Sequence, residues 1–388
     1  MLSTSTFLKR HFSTITLKKD SNQAYELAKY AVDFIKNGKP SHQVYDRVKL
    51  AHTDAVLCGY SAIALKSSAP SIFKNEAMAG VRKGKSISRP KMGSAKVFGT
   101  LEAGNAEKAI VACASAVREF SAHPATFGFN KSLPSHQAGE LASTEFYPLV
   151  VATAQQNLAI TGDKVVKGLV LLDEIQGRLC EAFPLRDYNI DSSLYSAMSA
   201  AITYGALLGG TPSQIENALG ILVSHNVPYA SVRQGKQLTE TEGAASAIMI
   251  GDAVIAATRA LNGLSGPTDI FRNPYGLFRN LVETKGDSPF DLVLTQEGNG
   301  FASMGNHFRF GAYNLHAAGA IEGVLRILKD HQFLVQDDPS NIQSIKIVGH
   351  QAGVDAIGQK ERKDPITRQS AINSIYYISK KEFFLFPY

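Results

Sequence analysis

The chain contains no tryptophan and only three cysteines, Cys58, Cys113 and Cys180, in 388 residues. An odd number of widely spaced cysteines without a C-x-x-C pair argues against a disulfide scaffold and a cysteine zinc site, and indicates a reducing compartment. No run of 18 apolar residues occurs, because Gly, Gln, Lys or Asp interrupts each hydrophobic stretch. The sequence therefore predicts a protein that does not cross a membrane.

Several motifs of common enzyme classes are also missing. The chain has no G-x-G-x-x-G, no H-E-x-x-H and no G-x-S-x-G, so nothing indicates a nicotinamide enzyme, a zinc protease or an α/β-hydrolase. The string Gly80-Val81-Arg82-Lys83-Gly84-Lys85-Ser86 has three residues between its glycines, whereas a phosphate loop has four. Any catalysis must come from residues that are scattered along the chain.

The N-terminus is basic and lacks acidic residues. Residues 1–19 carry four basic side chains, seven Ser or Thr and no Asp or Glu. This composition is typical of a mitochondrial transit segment and predicts a matrix location, with cleavage after Phe12; a frayed basic tail is the alternative. Loss of residues 1–12 removes Lys9 and Arg10, so the net charge falls from +6 to 6 − 2 = +4. The remaining basic residues are scattered among acids, which indicates no nucleic-acid interface and suits a small polyanionic substrate.

Apolar periodicity predicts a mostly helical chain over roughly the first 270 residues. The helix signals are the periodic stretch 21–35, the cap residues Ser41 and Asp163, the capping box at Thr211, and the small-residue stretches 196–210 and 243–260. Small residues on a helix face permit close helix packing, so the last two stretches predict helices inside a compact bundle. Residues 69–104 are basic and rich in Gly, and we expect a long surface loop there.

Composition changes towards the C-terminus. Residues 263–298 are rich in Gly, Pro, Asn and Asp without apolar periodicity, which predicts a crossing between two domains. A helix over 310–328 and a strand over 342–348 are expected beyond it. The predicted architecture is mainly α: a transit segment at 1–19, a large helical domain at 20–300 and a smaller α+β domain at 301–388.

A set of strings spread along the chain carries a family resemblance. They are Glu174–Leu179, Val227–Gln237, Gly266–Pro274, Ser288–Leu292, His307-Phe308, Gly319–Ile321 and Asp364–Ala371. In this order they resemble the MmgE/PrpD family, which includes 2-methylcitrate dehydratase and cis-aconitate decarboxylase. The likeness spans nearly the whole chain beyond the N-terminal segment and is strongest to fungal mitochondrial members.

The resemblance implies a large all-helical domain, a smaller α+β lid, a homodimer, and an interdomain cleft that needs neither metal nor cofactor. Since the chain stops at Tyr388, earlier than family members, we expect the lid to be incomplete. The implied activity is that of a hydro-lyase in propionate catabolism, which dehydrates the tricarboxylate 2-methylcitrate to 2-methyl-cis-aconitate. This reaction needs a base for the carbon proton, an acid for the leaving hydroxyl, and cations for the carboxylates.

The resemblance also implies site residues. His136 and His316 match cleft histidines and are the acid/base candidates, because histidine titrates near neutral pH. In the fungal register the second of these positions falls on Leu315 instead. Thr126 is expected to orient the substrate, and Arg233 and Lys236 are expected to bind its carboxylates. The alternatives are a structural role for His136 and a solvated loop for the two cations.

Three positions depart from the family pattern. Ser121 stands where the family has Asp, Glu242 where it has Lys, and Ile372-Asn373 where it has Asp-His. An anion at position 242 facing a trianionic substrate exchanges attraction for repulsion. These departures leave two alternatives open: an inactive paralogue that keeps the dimeric helical core, and a changed reaction such as cis-aconitate decarboxylation.

Overall fold

Helices dominate the fold of the chain, seen in a computed structural model. The structure describes residues 13–81, 93–133, 137–309, 311–331 and 343–379. Buried apolar side chains between Leu17 and Phe301 form one large core. A second, small cluster of buried residues begins at Ala317. Among the described residues, the apolar interior is therefore concentrated in the part before residue 302.

The helices of the main core are α1 (Gln23–Asn37), α2 (His42–Ala64), α3 (Ser68–Ala77), α4 (Ala106–Arg118), α5 (Tyr147–Gln156), α6 (Gly162–Ala182), α7 (Ser193–Leu207), α8 (Pro212–His225), α9 (Thr241–Leu261) and α10 (Leu277–Leu281). Helices α11 (Ala318–Asp330), α12 (Gln351–Ile357) and α13 (Arg368–Ile372) follow. Every residue of α7 is buried, because the helix packs against α1, α6, α8 and α9. The bundle is thus built around α7.

Local capping chemistry explains where several helices begin. The Ser41 side chain accepts the backbone N–H of Val44, as predicted for the start of α2. Thr211 and Gln214 form the predicted capping box at α8. The prediction for α6 is wrong in one detail: Thr161 accepts the N–H of Lys164 and caps the helix, and Asp163 lies in its first turn. A cap residue precedes the first turn of its helix, whereas Asp163 lies inside that turn. At this position its carboxylate interacts favourably with the helix dipole.

Close packing by small residues is confirmed for α7 and α9. Gly205 of α7 leaves no room for a Cβ, which would lie 2.9 Å from Ile215. Most residues of α9 are buried against α4, α7 and α8. By length and composition, α9 is the helix of the described residues that could cross a membrane. Its burial among other helices is that of a core helix of a globular bundle.

The strands form short two-stranded pairs. The antiparallel pairs are β1 (Thr14–Leu17) with β7 (Leu292–Thr295), β3 (Ser94–Lys96) with β4 (Ala103–Asn105), and β5 (Ala125–Phe129) with β6 (Gln137–Ala142); the parallel pair is β2 (Lys39–Pro40) with β8 (Glu297–Gly298). Strand β1 lies within the predicted segment 1–19, of which residues 1–12 lie outside the described residues. Ile15 is paired with Leu294. Cleavage after Phe12 would leave this strand in place.

Residues 263–298, the predicted crossing between domains, contribute side chains to the main core. Phe278 and Phe290 pack against Phe183, with ring centroids 5.2 Å apart for Phe183 and Phe278, and Phe271 packs against both of them. Aromatic side chains from an irregular backbone can fill a core without apolar periodicity, so the pattern gave no warning. The predicted loop at 69–104 likewise contains the C-terminal part of α3 and strands β3 and β4, while its residues 82–92 lie outside the described residues.

The described part of 301–379 is built from helices and loops. Ala317, Ile321, Ile357 and Ile378 form its buried cluster. The predicted helix at 310–328 begins only at Ala318, because Asn314 caps a short 3-10 turn over Leu315–Ala317. The predicted strand at 342–348 is absent over 343–348, where no described strand provides hydrogen-bond partners; residue 342 lies outside the described residues. Within this part His307 bridges to Ala125, but no described residues form a strand.

Candidate active site

His316 is held in place by the 3-10 turn that precedes α11. The Asn314 Oδ1 accepts the backbone N–H of His316 at 3.0 Å. The His316 side chain is 5% exposed, and its Nε2 lies 3.3 Å from Oε1 of Glu140 on β6. The turn and the strand are far apart in sequence, so only the fold brings this histidine and this carboxylate together.

The tautomer of His316 follows from the charge of Glu140. Burial acts to raise the pKa of Glu140, but hydrogen bonding and charge from His316, together with Arg186 and Arg309, lower it overall. An ionised carboxylate only accepts hydrogen bonds, so Nε2 of His316 donates. In the neutral ring the lone pair is then on Nδ1, which has no hydrogen-bond partner in the described part of the chain. That nitrogen can accept a proton.

A cavity of about 1420 Å³ lies beside this pair. His316 lines it together with His350, Lys346 and Lys363, and Phe127 contributes to its apolar wall. A small polycarboxylic acid is much smaller than this space, so its position must be set by contacts with one wall. Asp364 also lines the cavity, so the two lysines exceed the acidic residues by one. A histidine with a free nitrogen and this excess of positive charge suit an acidic substrate that loses a proton.

Thr126 takes part in a buried chain of hydrogen bonds. It lies on β5, and its Oγ1 donates to Oδ1 of Asn306 at 2.5 Å. The Nδ2 of Asn306 donates to Oδ2 of Asp173 at 3.0 Å, and Tyr147 donates to the same oxygen at 2.6 Å. Burial raises the pKa of Asp173 to about 7, although the hydrogen bonds from Tyr147, Asn306 and Gln176 act to lower it. Thr126 is therefore bonded to the interior and is not in the cavity wall.

A second group of buried polar residues lies apart from the cavity wall; we call Arg118, Glu145, Asp191, Arg233 and Glu242 the arginine–carboxylate cluster. Glu242 accepts from Arg118 at 2.7 Å and from Arg233 at 3.4 Å. Arg233 also donates to Asp191 at 2.8 Å and to Ser246 at 2.7 Å. Each terminal nitrogen of Arg233, and its Nε, thus has a protein acceptor.

The other residues from the sequence analysis lie in different places. His136 lies outside the described residues. Lys236 is exposed on a loop and is not part of the cavity wall. Ser121 is buried with φ +51°, a conformation that favours Gly, Asn and Asp. Its carbonyl accepts from Nη1 of Arg309 at 2.6 Å.

Asn373 positions the turn that holds His316. Its Oδ1 accepts from Nδ2 of Asn314 at 2.7 Å, and its own Nδ2 donates to the carbonyl of Gln369 at 2.8 Å. Asn314 in turn caps the backbone of His316. The side chain of Asn373 is buried, so this tether is shielded from water. At this departure from the family pattern, the chain uses an amide to position a histidine.

Sequence reasoning missed Glu140 as a partner, and also His123 and Arg309. His123 is fully buried, and burial first, then the charges of Arg309, Arg118 and Arg233, hold its pKa well below the usual range. Arg309 takes part in none of the ion pairs among the described residues, and burial and Arg118 lower its pKa to about 10. In the sequence analysis, only His307 and Phe308 next to Arg309 belonged to a string that resembles the family.

No three His, Cys, Asp or Glu side chains of the described residues gather as metal ligands.

Comparison with known families supplies the context for this geometry. The family model described as the MmgE/PrpD N-terminal domain matches residues 25–289, which is more than half of the 388 residues. No curated protein matches the chain. The matched region contains the helical bundle, the arginine–carboxylate cluster and Glu140, while His316 follows it. The chain belongs to the MmgE/PrpD family.

Proposed function

We propose that the chain is a hydro-lyase that dehydrates 2-methylcitrate to 2-methyl-cis-aconitate in propionate catabolism. The family to which it belongs includes dehydratases. The observation that carries the proposal is the His316–Glu140 pair at the wall of the cavity. A histidine oriented by a carboxylate is a recurrent arrangement for a general base.

In this proposal Nδ1 of His316 takes the carbon proton. The electrons of the C–H bond form the C=C bond, the C–O bond breaks, and the leaving hydroxide takes a proton and departs as water. The carboxylate of Glu140 stabilises the imidazolium that His316 becomes. The acid that protonates the hydroxyl is assigned to His136 on the family resemblance alone.

The carboxylates of the substrate are assigned to Lys346 and Lys363. Both lysines line the cavity. Arg233, the expected contact, donates instead to Asp191, Glu242 and Ser246. Long-range attraction from the two lysines also favours entry of a polyanion into the cavity.

The cellular setting of this activity is part of the proposal. Residues 1–12 would serve as the transit peptide to the mitochondrial matrix, and the protein would act as a homodimer. Residues from 301 onwards would form the smaller domain and act as a lid, because His316, Lys346 and Lys363 all come from this part of the chain. The substrate would then bind between this part and strand β5.

The test is the ultraviolet absorbance of the conjugated alkene when the purified full chain meets 2-methylcitrate, with citrate in parallel. We expect turnover of 2-methylcitrate, a drop in kcat of about 100-fold or more in His316→Asn, and a smaller drop in Glu140→Gln. His42→Asn, which changes an exposed histidine on α2, is the matched control and should keep full activity. A folded parent without turnover of either acid would overturn the proposal.

A second candidate is a paralogue that kept the helical core and lost the chemistry. It is favoured by the carboxylate of Glu242, which pairs with both Arg118 and Arg233 and so neutralises cations that could otherwise bind an anion. A folded chain that neither forms the alkene nor releases carbon dioxide from cis-aconitate would support this candidate. Carbon dioxide release alone would indicate a decarboxylase instead.

A further inference from the structure

His350, which the sequence analysis did not single out, has a defined tautomer in the structure. Its Nδ1 accepts the backbone N–H of Gly353 at 3.1 Å and so caps α12. A ring nitrogen that accepts a hydrogen bond carries no hydrogen itself. In the capping ring the hydrogen is therefore on Nε2, and this nitrogen has no hydrogen-bond partner among the described residues.

The ring of His350 lies against the ring of His316. Their centroids are 5.3 Å apart with an angle of 62° between the planes, and both residues line the same cavity. The two rings are chemically complementary: His316 directs its proton to Glu140 and keeps a free lone pair on Nδ1, whereas His350 keeps an N–H on Nε2. One wall thus offers a proton acceptor beside a hydrogen-bond donor.

We propose that Nε2–H of His350 donates a hydrogen bond to a carboxylate of the acid that occupies this cavity. The identity of that acid rests on the proposed function, but recognition of its carboxylate does not. Removal of a proton next to a carboxylate moves negative charge onto the carboxylate oxygens, and a donor fixed in advance stabilises that charge. His350 transfers no proton in this role, since its Nδ1 remains the acceptor of the helix cap.

Gly353 makes room for the ring. A Cβ at this position would lie 3.3 Å from Cε1 and 3.4 Å from Nε2 of His350. The 3.3 Å contact is tighter than most, so in Gly353→Ala the imidazole must shift by a few tenths of an ångström. The effect of Ala on the helix backbone is favourable. This variant alters the place of the donor without removing the histidine.

The experiment measures the affinity of the full chain for tricarballylate by calorimetry. This tricarboxylate has no hydroxyl group and cannot be dehydrated, so binding is separated from turnover. His350→Asn keeps a side-chain acceptor for the Gly353 N–H, because Asn is a good N-cap, but lacks the imidazole N–H. We expect about tenfold or greater loss of affinity with little change in melting temperature, and no change in affinity in the control His42→Asn.

The outcomes separate this inference from the proposed function. Binding by the parent and weakened binding by His350→Asn support the inference even where 2-methylcitrate is not turned over, a result that overturns only the function. Unchanged affinity in a folded His350→Asn variant, or no binding by the parent, overturns the inference. If His350→Asn melts early, Gly353→Ala decides: lower affinity in the folded variant supports the inference, and unchanged affinity overturns it.

Discussion

At the residue scale, Glu242 was expected to face the substrate and repel it, but in the structure its carboxylate pairs with two arginines. Glu242 is buried between Arg118 at 2.7 Å and Arg233 at 3.4 Å. Burial acts to raise the pKa of Glu242, but the two arginines lower it, so the carboxylate is charged. Both arginines also pair with a second carboxylate, Arg118 with Glu145 and Arg233 with Asp191, and Glu242 is the anion that they share.

We predict that Glu242→Lys loses about 3–5 kcal/mol of unfolding free energy or fails to fold, because a third buried cation replaces the shared anion. Glu242→Gln keeps the shape and removes only the charge, so its loss should be smaller. Urea unfolding of the parent and both variants provides the measurement. A Glu242→Lys variant as stable as the parent would contradict this account of the cluster.

Asp173 gives a prediction about pH. Its folded pKa of about 7 lies above an ordinary value of about 3.9, so the fold favours the protonated acid. Protonated Asp173 contributes roughly a few kcal/mol to the free energy of unfolding. This contribution is complete below about pH 4 and is lost as the pH rises through about 7. Asp173→Asn imitates the protonated acid and should remove this part of the pH dependence. Urea unfolding between pH 4.5 and 7.5 tests it: parallel curves for parent and variant would count against the assignment.

The candidate site shows how far residues can be predicted from sequence. His316 is an acid/base candidate on the family resemblance, but the resemblance offered no partner for it, since the contact with Glu140 spans 176 positions of sequence. Arg233 was predicted to bind a substrate carboxylate, whereas in the structure it pairs with Asp191 and Glu242, which only the fold brings near it. Sequence strings identify chemistry-bearing residues, whereas their partners follow from tertiary structure.

At the scale of elements, local signals predicted helices better than strands. Ser41 and Thr211 mark helix starts because a cap acts within three residues. Strand β1 pairs with β7 from the far end of the core, and β2 with β8, so neither pair has a local signal. The expected strand over 342–348 had the right alternation of apolar residues, but the described residues give it no partner strand. A strand needs a neighbour for its backbone hydrogen bonds, which a pattern in one segment cannot supply.

Gly220 gives a prediction about the packing of an element. It lies on α8, and a Cβ there would lie 1.8 Å from the carbonyl oxygen of Pro267. We expect Gly220→Ala to destabilise the protein by about 2 kcal/mol or more, although Ala is the better helix former, because backbone must move to accommodate the methyl group. Gly162→Ala on α6 has open space around the new methyl group and should be neutral or slightly stabilising. Thermal unfolding of the two variants is the measurement. Equal melting temperatures for Gly220→Ala and Gly162→Ala would contradict the prediction that the contact with Pro267 destabilises the first variant.

At the scale of the whole molecule, the two hydrophobic clusters differ greatly in size. Among the described residues, the main cluster runs from Leu17 to Phe301, whereas the second has four buried members, Ala317, Ile321, Ile357 and Ile378. Burial of apolar area is the main source of stability, so these four residues contribute little by themselves. The candidate site combines Glu140 from the large body with His316 and His350 from the small one.

Polar contacts join the small cluster's segment to the helical body. Arg368 pairs with Glu119, and the hydroxyls of Thr367 and Ser370 bond to the backbone of Leu238. Polar contacts of this kind hold a segment in register but add only about 1 kcal/mol each. We therefore expect this segment to open locally while the helical body stays folded.

This arrangement predicts two levels of protection in hydrogen exchange of the full chain. Amides of α7 and α9 should exchange only with global unfolding, because both helices are buried in the main cluster. Amides of α11 and α12 should exchange through local opening, at least tenfold faster, because α11 buries only three apolar residues and α12 only Gly353 and Ile357. Tricarballylate at saturation should slow α11 and α12 and leave α7 unchanged, since a ligand in the cavity contacts strand β5 and the two histidines and stabilises the arrangement that holds them together. Equal protection of all four helices without ligand would show that the small cluster folds as one cooperative unit with the large one, and would contradict this prediction.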